Sequence, residues 1–318
     1  MQVTVDQYRH FRSQGYLVME NVLSIDELEE LDRHADDIIA GRLPLQRKEM
    51  PLRDTTADSG TTCQGLDLAP ANLSAREREG YFVRMHMLHR VHALHERMLL
   101  HPRVLDVVEV LIGPDILALS TMFFFKPPGK AGQGWHQDSF YLPTYPDTLC
   151  GVWIAVEDCD AENGALQIAA GSCVEPVYPP AEGYGFGDEL ISGIQRIRGA
   201  SEEDATCDLA DVAAQYDIRR IEMRAGSAVF FSGHALHRST ANKTTDRSRR
   251  SFAAHYCNAR SFVRWGSDQI GDDVHAAPII DVRTGMTNGS HILARGTTHL
   301  PFGLPVFGTP CAASKAHV

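Results

Sequence analysis

Short apolar segments separated by turn residues occupy the middle of this chain, and they restrict its fold more than any other feature. The longest runs from Ile116 to Phe125 and ends at a Lys-Pro-Pro-Gly turn. Further short segments that we interpret as strands follow at 149–156, 164–168, 218–223, 228–231 and 251–257. Several short strands with turns between them are typical of an antiparallel sandwich or closed barrel. The sequence predicts a mainly β core over about 114–263, flanked by helices.

Helical patterns lie mostly before this core. Thr4 and Ser24 each precede a Gln or Glu by three residues, which is the capping-box pattern of a helix start. Pro102 and Gly113 bracket a further apolar helix, because Pro is favoured at the first helical position and Gly just past the end. The N-terminal helices are therefore predicted within 4–113.

Three stretches lack periodicity and are rich in Gly, Pro and polar residues: 42–73, 176–200 and the tail over 264–318. Structureless segments of this length are usually functional loops or disordered. For 42–73, a lid over a substrate and a surface excursion are equally good interpretations. All-β domains reach the size of this chain, so residues 1–318 are predicted to form a single domain.

A His-x-Asp pattern at His136 and Asp138 carries the first candidate chemistry. In a strand, residues i and i+2 point to the same face, so this pair presents an imidazole and a carboxylate to one ion. A second histidine from another strand would complete the facial triad of non-haem iron(II) oxygenases. By itself the pattern more often marks a surface strand. The preceding Trp135 and the stretch described next favour the metal site.

That second stretch follows the strand Val229-Phe230-Phe231 and offers His234 and His237 for the third ligand position. Arg249 stands a dozen residues beyond His237, at the start of the next strand. Iron(II) chemistry of this type uses a bidentate 2-oxo acid, whose remote carboxylate suits the planar two-donor guanidinium of arginine. Arg249 is placed for that role. Trp153 lies on a strand after the His-x-Asp pattern. Buried aromatic residues more often pack in the core than contact a ligand, so we favour a packing role for it from the pattern alone.

Four further histidines, His86, His89, His92 and His95, stand at steps of three. Steps of three drift around a helix, so that only neighbouring members share a face. The row also lacks the H-E-x-x-H pattern of zinc proteases. We interpret these histidines as structural.

Composition excludes several classes of function. The net charge of −11 and pI near 5.7 argue against a surface that follows nucleic-acid phosphates. The 7 cysteines contain no C-x-x-C pattern and are odd in number, which argues against a disulfide framework or structural zinc site. The sequence shows no signal segment and no bilayer-spanning apolar run. We expect a cytoplasmic protein with a small-molecule substrate and no nucleic-acid or membrane partner.

The motifs also occur in a recognisable order. They are Leu111-Ile112-Gly113-Pro114, Thr121-Met122, Lys126-Pro127-Pro128, Trp135-His136-Gln137-Asp138, Asn163-Gly164-Ala165-Leu166, Gly171-Ser172 and the stretch from His237 to Arg249. Over about Val3 to Val263 the chain thereby resembles the phytanoyl-CoA dioxygenase family of iron(II)/2-oxoglutarate oxygenases. The resemblance implies a double-stranded β-helix (a cupin-like jelly roll) with flanking helices.

The resemblance also implies roles for individual residues. His136, Asp138 and His237 would be the ligands of Fe(II), which leaves His234 as a loop residue. Arg249 would anchor the co-substrate 2-oxoglutarate. The residues implied beside that co-substrate are Met122, Trp153 and Arg84.

Two departures from the family pattern stand out. Cys173 occupies a position where relatives often have His. The interval from His237 to Arg249 is about one residue longer than in typical relatives, which leaves Arg250 as an alternative anchor. Neighbouring residues of a strand point to opposite faces, so strand parity decides between them, and we favour Arg249.

The implied reaction is hydroxylation of an unactivated C–H bond of a small-molecule metabolite. It consumes dioxygen and 2-oxoglutarate and releases succinate and CO2. The carboxylate of Asp138 favours hydroxylation, because related halogenases lack it. The alternatives are a metal cupin, acting as an isomerase or as a dioxygenase without 2-oxoglutarate, and a non-catalytic β-helix binding protein.

Overall fold

A computed structural model describes residues 1–43, 62–63, 72–79, 84–178, 208–263, 291–300 and 302–315. Within these ranges the helices are α1 (Val5–Gln14), α2 (Ile25–Ile39), α3 (Ala75–Glu79), α4 (Ala93–Leu99), α5 (Pro102–Ile112), α6 (Asp138–Tyr141), α7 (Asp208–Ala213) and α8 (Ala312–Lys315). The strands are β1 (Tyr16–Met19), β2 (Thr62–Cys63), β3 (Arg84–His86), β4 (Ile116–Lys126), β5 (Thr144–Tyr145), β6 (Cys150–Ala155), β7 (Leu166–Ala170), β8 (Asp217–Ile221), β9 (Ala228–Ser232), β10 (His237–Ser239), β11 (Arg249–Asn258), β12 (Phe262–Val263) and β13 (Ile292–Arg295).

Two antiparallel sheets form the body of the described chain. The larger has the strand order β1-β9-β6-β11-β4-β3-β2, and β13 also pairs with β4. The smaller has the order β10-β7-β8, and β5 pairs separately with β12. One apolar cluster contains Trp153, Phe231 and Ala253 of the large sheet together with Leu166 and Ile168 of the small one. The sheets therefore pack against each other, as the predicted jelly roll requires.

Side chains of the large sheet alternate between two different environments. Along β11, Phe252, Ala254 and Tyr256 belong to the apolar cluster that includes α2, α4 and α5. Ala253, between them, belongs to the cluster shared with the small sheet. This alternation is the period of two expected of a strand. The sheet thus has a helix face and an inner face, and the inner face is the one available to a site.

The helices begin and end where local sequence signals place them. Thr4 and Ser24 cap α1 and α2 as complete capping boxes. Gly15 ends α1 in the left-handed region at φ 80°, which favours glycine. Pro102 is at the start of α5, and Gly113 follows its last residue. The predicted capping boxes at Thr4 and Ser24, and the helix between Pro102 and Gly113, are confirmed.

Most of the segments 42–73 and 176–200, and residues 264–290 of the tail, lie outside the described residues. The described cysteines whose sulfur can be assessed are free: Cys150, Cys159, Cys173, Cys257 and Cys311. Among the helices described, none combines the length and apolar character needed to span a bilayer.

Candidate metal centre

The predicted strand through His136 and Asp138 is wrong in its extent. His136 forms an isolated β-bridge with His237, through reciprocal backbone hydrogen bonds of 3.0 and 3.1 Å. Gln137 is extended (φ −121°, ψ 129°), and Asp138 is already the first residue of α6. One extended residue is enough to direct the side chains of 136 and 138 to the same side.

His136, Asp138 and His237 bring their donor atoms within 4.8 Å of one another. The Oδ1 atom of Asp138 lies 3.7 Å from Nε2 of His136 and 3.6 Å from Nε2 of His237. Among the described residues, this is the one group of three or more potential ligands that converges in this way. Two imidazoles and one carboxylate suit a divalent transition metal and leave coordination positions open.

Backbone carbonyls orient both imidazole rings. Nδ1 of His136 lies 2.8 Å from the carbonyl of Gly134, and Nδ1 of His237 lies 3.0 Å from that of Ala235. A carbonyl only accepts, so each Nδ1 donates, and each neutral ring has its lone pair on Nε2. Nε2 of His136 lies 3.1 Å from Nε2 of Gln133 and accepts from that amide, so a metal would replace this contact. The backbone thereby selects the tautomer that the centre requires.

Electrostatics keep the centre in its metal-binding protonation states. Burial, and then the neighbouring His237, lowers the pKa of His136 to about 3. Burial opposes ionisation of Asp138, yet the imidazoles of His237, His255 and His136 hold its pKa below the ordinary value. A neutral imidazole and an ionised carboxylate are the forms that coordinate metals.

A cavity of about 300 Å³ extends from the three donors along the inner face of the large sheet. Its lining includes the residues that the sequence predicts to contact 2-oxoglutarate: Arg84, Met122, Trp153 and Arg249. Met122 and Trp153 stand opposite Ala253 in register, on either side of β11. Their side chains therefore belong to the cavity wall.

Arg249 and Arg250 have different surroundings. Arg249 is 3% exposed, lies 5.1 Å over the ring of Trp153, and donates to Ser251 Oγ at 3.0 Å. Its Nε has no hydrogen-bond partner among the described residues. Arg250 instead pairs with Asp32 and Asp36 of α2 and with the buried Glu79. Only Arg249 of the two has a guanidinium in the cavity.

His234 lies outside the cavity lining. Its Nε2 is 2.7 Å from Oδ2 of Asp147, and its Nδ1 is 2.7 Å from the carbonyl of Glu175. The side chain of Gln137, between the two candidate ligands, donates to the carbonyls of His234 and Pro176 at 2.9 Å each. Gln137 therefore links the chain between the two candidate ligands to Pro176, whereas the side chain of His234 contacts Asp147 and Glu175 and none of the three donors.

The row of four histidines divides among separate environments. His86 lines the cavity, and Nδ1 of His89 lies 3.0 Å from Oγ1 of Thr121. His92 and His95 pack against His34 of α2, with ring centroids 4.6 and 5.3 Å from that of His34. Among the described residues, the members of the row therefore lie in separate environments.

The residue that sequence reasoning missed is His255. Its Nε2 lies 3.0 Å from Oδ2 of Asp138, and its Nδ1 lies 2.9 Å from Oγ of Ser120. Strand parity was the available signal, because His255 is six residues after Arg249 and therefore on the same face of β11.

Comparison with known proteins identifies the family. The sequence profile of phytanoyl-CoA dioxygenase (PhyH) matches residues 11–251. The chain belongs to the phytanoyl-CoA dioxygenase family. A Danio rerio protein, phytanoyl-CoA dioxygenase domain-containing protein 1, is 28% identical over 83% of this chain and 93% of its own length. Human peroxisomal phytanoyl-CoA dioxygenase is 27% identical, over 81% of this chain and 69% of its own.

The fold of this family member also has solved counterparts. The epimerase SnoN, in complex with Fe3+, alpha ketoglutarate and nogalamycin RO, aligns with a TM-score of 0.58 at 19% identity, over 86% of this chain and 92% of its own. The predicted double-stranded β-helix is confirmed. Membership of a family of iron(II)/2-oxoglutarate dioxygenases also confirms the predicted enzyme class, and it argues against a non-catalytic binding protein.

Proposed function

We propose that this phytanoyl-CoA dioxygenase family member binds Fe(II) through Nε2 of His136, Oδ1 of Asp138 and Nε2 of His237. The observation that carries the proposal is the convergence of these three donors within 4.8 Å at the wall of a cavity. Both histidine tautomers place the lone pair on Nε2, the atom that would bind the metal. The donor set fits the two-histidine, one-carboxylate site of iron(II) oxygenases.

We further propose that Arg249 binds the remote carboxylate of 2-oxoglutarate. A guanidinium taken out of water requires an anion or several acceptors, and Nε of Arg249 has no partner among the described residues. Burial lowers the pKa of Arg249 from its ordinary value, because taking the guanidinium out of water disfavours its charged form. Met122 and Trp153 would border the carbon chain of the co-substrate, and Arg84 would lie at the same cavity.

The reaction that fits this site best is hydroxylation of a C–H bond in a small molecule. Fe(II) held by His136, Asp138 and His237 would supply the activation of dioxygen, coupled to decarboxylation of 2-oxoglutarate to succinate and CO2. One oxygen atom of dioxygen enters succinate and the other enters the substrate. The protein residues would orient the reactants, and Phe124, Leu166 and Phe231 contribute apolar surface to the cavity that would hold them. We place this activity in a single cytoplasmic domain.

The first experiment tests the metal and the co-substrate together. Adding Fe(II) and 2-oxoglutarate to the protein without oxygen should produce a visible metal-to-ligand charge-transfer band. The band should disappear in Asp138→Ala. A well-folded, metal-loaded protein without the band would favour a metal cupin that does not use 2-oxoglutarate.

The second experiment tests the substrate class. Succinate release is measured with candidate compounds from several metabolite classes, with oligonucleotides included as competitors. Stimulation by one metabolite class and oxygen insertion into that compound would support the proposal. Preferential turnover of an oligonucleotide would contradict it.

A further inference from the structure

The cavity wall is built from rows of residues that lie in register across β4, β11 and β6. One row contains Met122, Ala253 and Trp153. The next row toward the metal centre contains Ser120, His255 and Gly151. His255 is therefore at the centre of the row that faces Asp138. It is 4% exposed and lines the same cavity.

The two oxygens of Asp138 have different neighbours. Oδ1 faces Nε2 of both His136 and His237. Oδ2 faces Nε2 of His255, at 3.0 Å. An ionised carboxylate only accepts hydrogen bonds, so His255 donates from Nε2. Its Nδ1 then accepts from the hydroxyl of Ser120, at 2.9 Å, and the chain Ser120–His255–Asp138 has every donor matched to an acceptor.

Gly151 makes this arrangement sterically feasible. A Cβ atom at this position would stand 3.0 Å from Oδ2 of Asp138 and 2.5 Å from Cε2 of Phe231. Both distances are shorter than ordinary van der Waals contact, and the second neighbour is a packed ring. The absence of a side chain at Gly151 therefore leaves room for Oδ2 of Asp138, the oxygen that accepts from His255.

We infer that His255 is a positioning residue that holds Oδ2 of Asp138 and leaves Oδ1 alone to bind the metal. The inference rests on the ligand set proposed above. A carboxylate held in this way binds through one oxygen, whereas a free carboxylate can bind through two. The second oxygen would occupy a position that 2-oxoglutarate or dioxygen needs. His255 therefore keeps the open face of the centre available, without touching the reactants itself.

The test compares His255→Leu, His255→Gln and Ser120→Ala by isothermal titration with Ni(II), which is stable in air. Groups that orient metal ligands typically contribute about 10-fold to 100-fold in metal affinity. His255→Leu is expected to weaken Ni(II) binding by about that factor. His255→Gln keeps an amide donor near the position of Nε2 and should restore most of the affinity. Ser120→Ala should give a smaller loss, because the imidazole remains but its tautomer is no longer selected.

A spectroscopic readout separates positioning from loss of structure. The anaerobic charge-transfer band with Fe(II) and 2-oxoglutarate should shift in wavelength in His255→Leu and return in His255→Gln. The matched control is His234→Leu. It also removes a contact between a histidine and an aspartate, but that contact, between His234 and Asp147, lies outside the cavity. That control should leave Ni(II) affinity and the band unchanged. Thermal unfolding of each variant establishes that it is folded.

The outcomes also distinguish this inference from the proposed function. Wild-type Ni(II) affinity and an unshifted band in folded His255→Leu would overturn the positioning role. If that result accompanied loss of metal binding in Asp138→Ala, the ligand set would stand and only the role of His255 would fail. Retention of metal binding in Asp138→Ala would overturn the ligand set, and the inference with it. Where His255→Leu does not fold, the same comparisons apply to His255→Gln and Ser120→Ala: unchanged affinity and an unshifted band in both would overturn the inference.

Discussion

Arg249 and Arg250 are consecutive residues of β11, yet their guanidinium groups lie on opposite faces of the large sheet. Arg249 is on the inner face, over the ring of Trp153 and in the cavity. Arg250 is on the helix face, where it pairs with Asp32, Asp36 and Glu79. One arginine is available to a ligand, and the other joins the sheet to α2 and α3. Substitution of Arg249 is therefore expected to change ligand binding, and substitution of Arg250 to change stability.

Substitution of Arg249 is expected to weaken binding of 2-oxoglutarate without changing binding of the metal. Arg249→Lys keeps the charge but loses the paired donors, and a charge-assisted hydrogen bond contributes about 1.5–3 kcal/mol. The Kd for 2-oxoglutarate should rise by roughly 10-fold to 100-fold, measured by anaerobic titration of the Ni(II)-loaded protein. Metal affinity should be unchanged. An unaltered Kd for 2-oxoglutarate would assign the anchor to another residue.

Substitution of Arg250 is expected to affect stability alone. Arg250→Met removes the guanidinium that pairs with the buried carboxylate of Glu79. Removal of one partner from a buried pair costs about 3–5 kcal/mol. The free energy of unfolding should fall by that amount in urea denaturation. Arg247→Met is the matched control, because its pair with Asp160 is exposed and should contribute little. Equal effects of the two substitutions would contradict this interpretation.

Much of this fold follows from signals that operate within a few residues. Capping boxes at Thr4 and Ser24 define helix starts, because the donor and acceptor are three residues apart in the chain. The inner and helix faces of β11 follow from the two-residue period of a strand. That parity predicts that Arg249 and Arg250 lie on opposite faces, and the family pattern favoured Arg249 as the one in the site. Local periodicity thus predicts which face of an element a side chain occupies.

The side-chain pairs that we did not predict from the sequence are contacts between segments far apart in the chain. His255 and Asp138 are 117 residues apart, and Arg250 and Asp32 are 218 residues apart. No local pattern encodes such pairs, since they depend on strand order and register. The start of α6 at Asp138 was missed for a related reason. His136 pairs with His237 in a single β-bridge, and the chain enters α6 two residues later. The bridge depends on a partner about a hundred residues away.

The two histidines that competed for the third ligand position provide a direct comparison. His237→Ala removes a donor of the convergent set and should abolish Ni(II) binding in titration calorimetry. His234→Ala removes only the contacts with Asp147 and the Glu175 carbonyl, so Ni(II) binding should remain. The reverse pattern would exchange their assignments and require a different metal geometry.

Gly151 is expected to tolerate no side chain. In Gly151→Ala the new methyl group would press against Phe231 and against Oδ2 of Asp138. Overpacking of this kind costs about 1–3 kcal/mol, measured as a decrease in the free energy of unfolding. Metal affinity should fall as well, because the carboxylate must move. A substitution that lowered neither quantity would show that the strand has room to shift.

The contact between His234 and Asp147 predicts how stability depends on pH. The hydrogen bond to Asp147 is the largest influence on His234 and raises its pKa above the ordinary value of 6.5. The contribution of His234 is therefore fully present below pH 6.5 and is lost as the pH rises through the raised value. Burial opposes ionisation of Asp147, but its bond to His234 contributes to a net lowering of its pKa from 3.8.

The Asp147 contribution is accordingly present above pH 3.8 and is lost as the pH falls through the lowered value. The pair should stabilise the protein most between these two limits, at mildly acidic pH. Thermal unfolding of the wild type and His234→Gln, followed from about pH 4 to about pH 8.5, checks this. The difference in Tm should be largest near about pH 5 and should shrink above about pH 7. A difference that stayed constant across this range would mean that His234 does not change its charge state there.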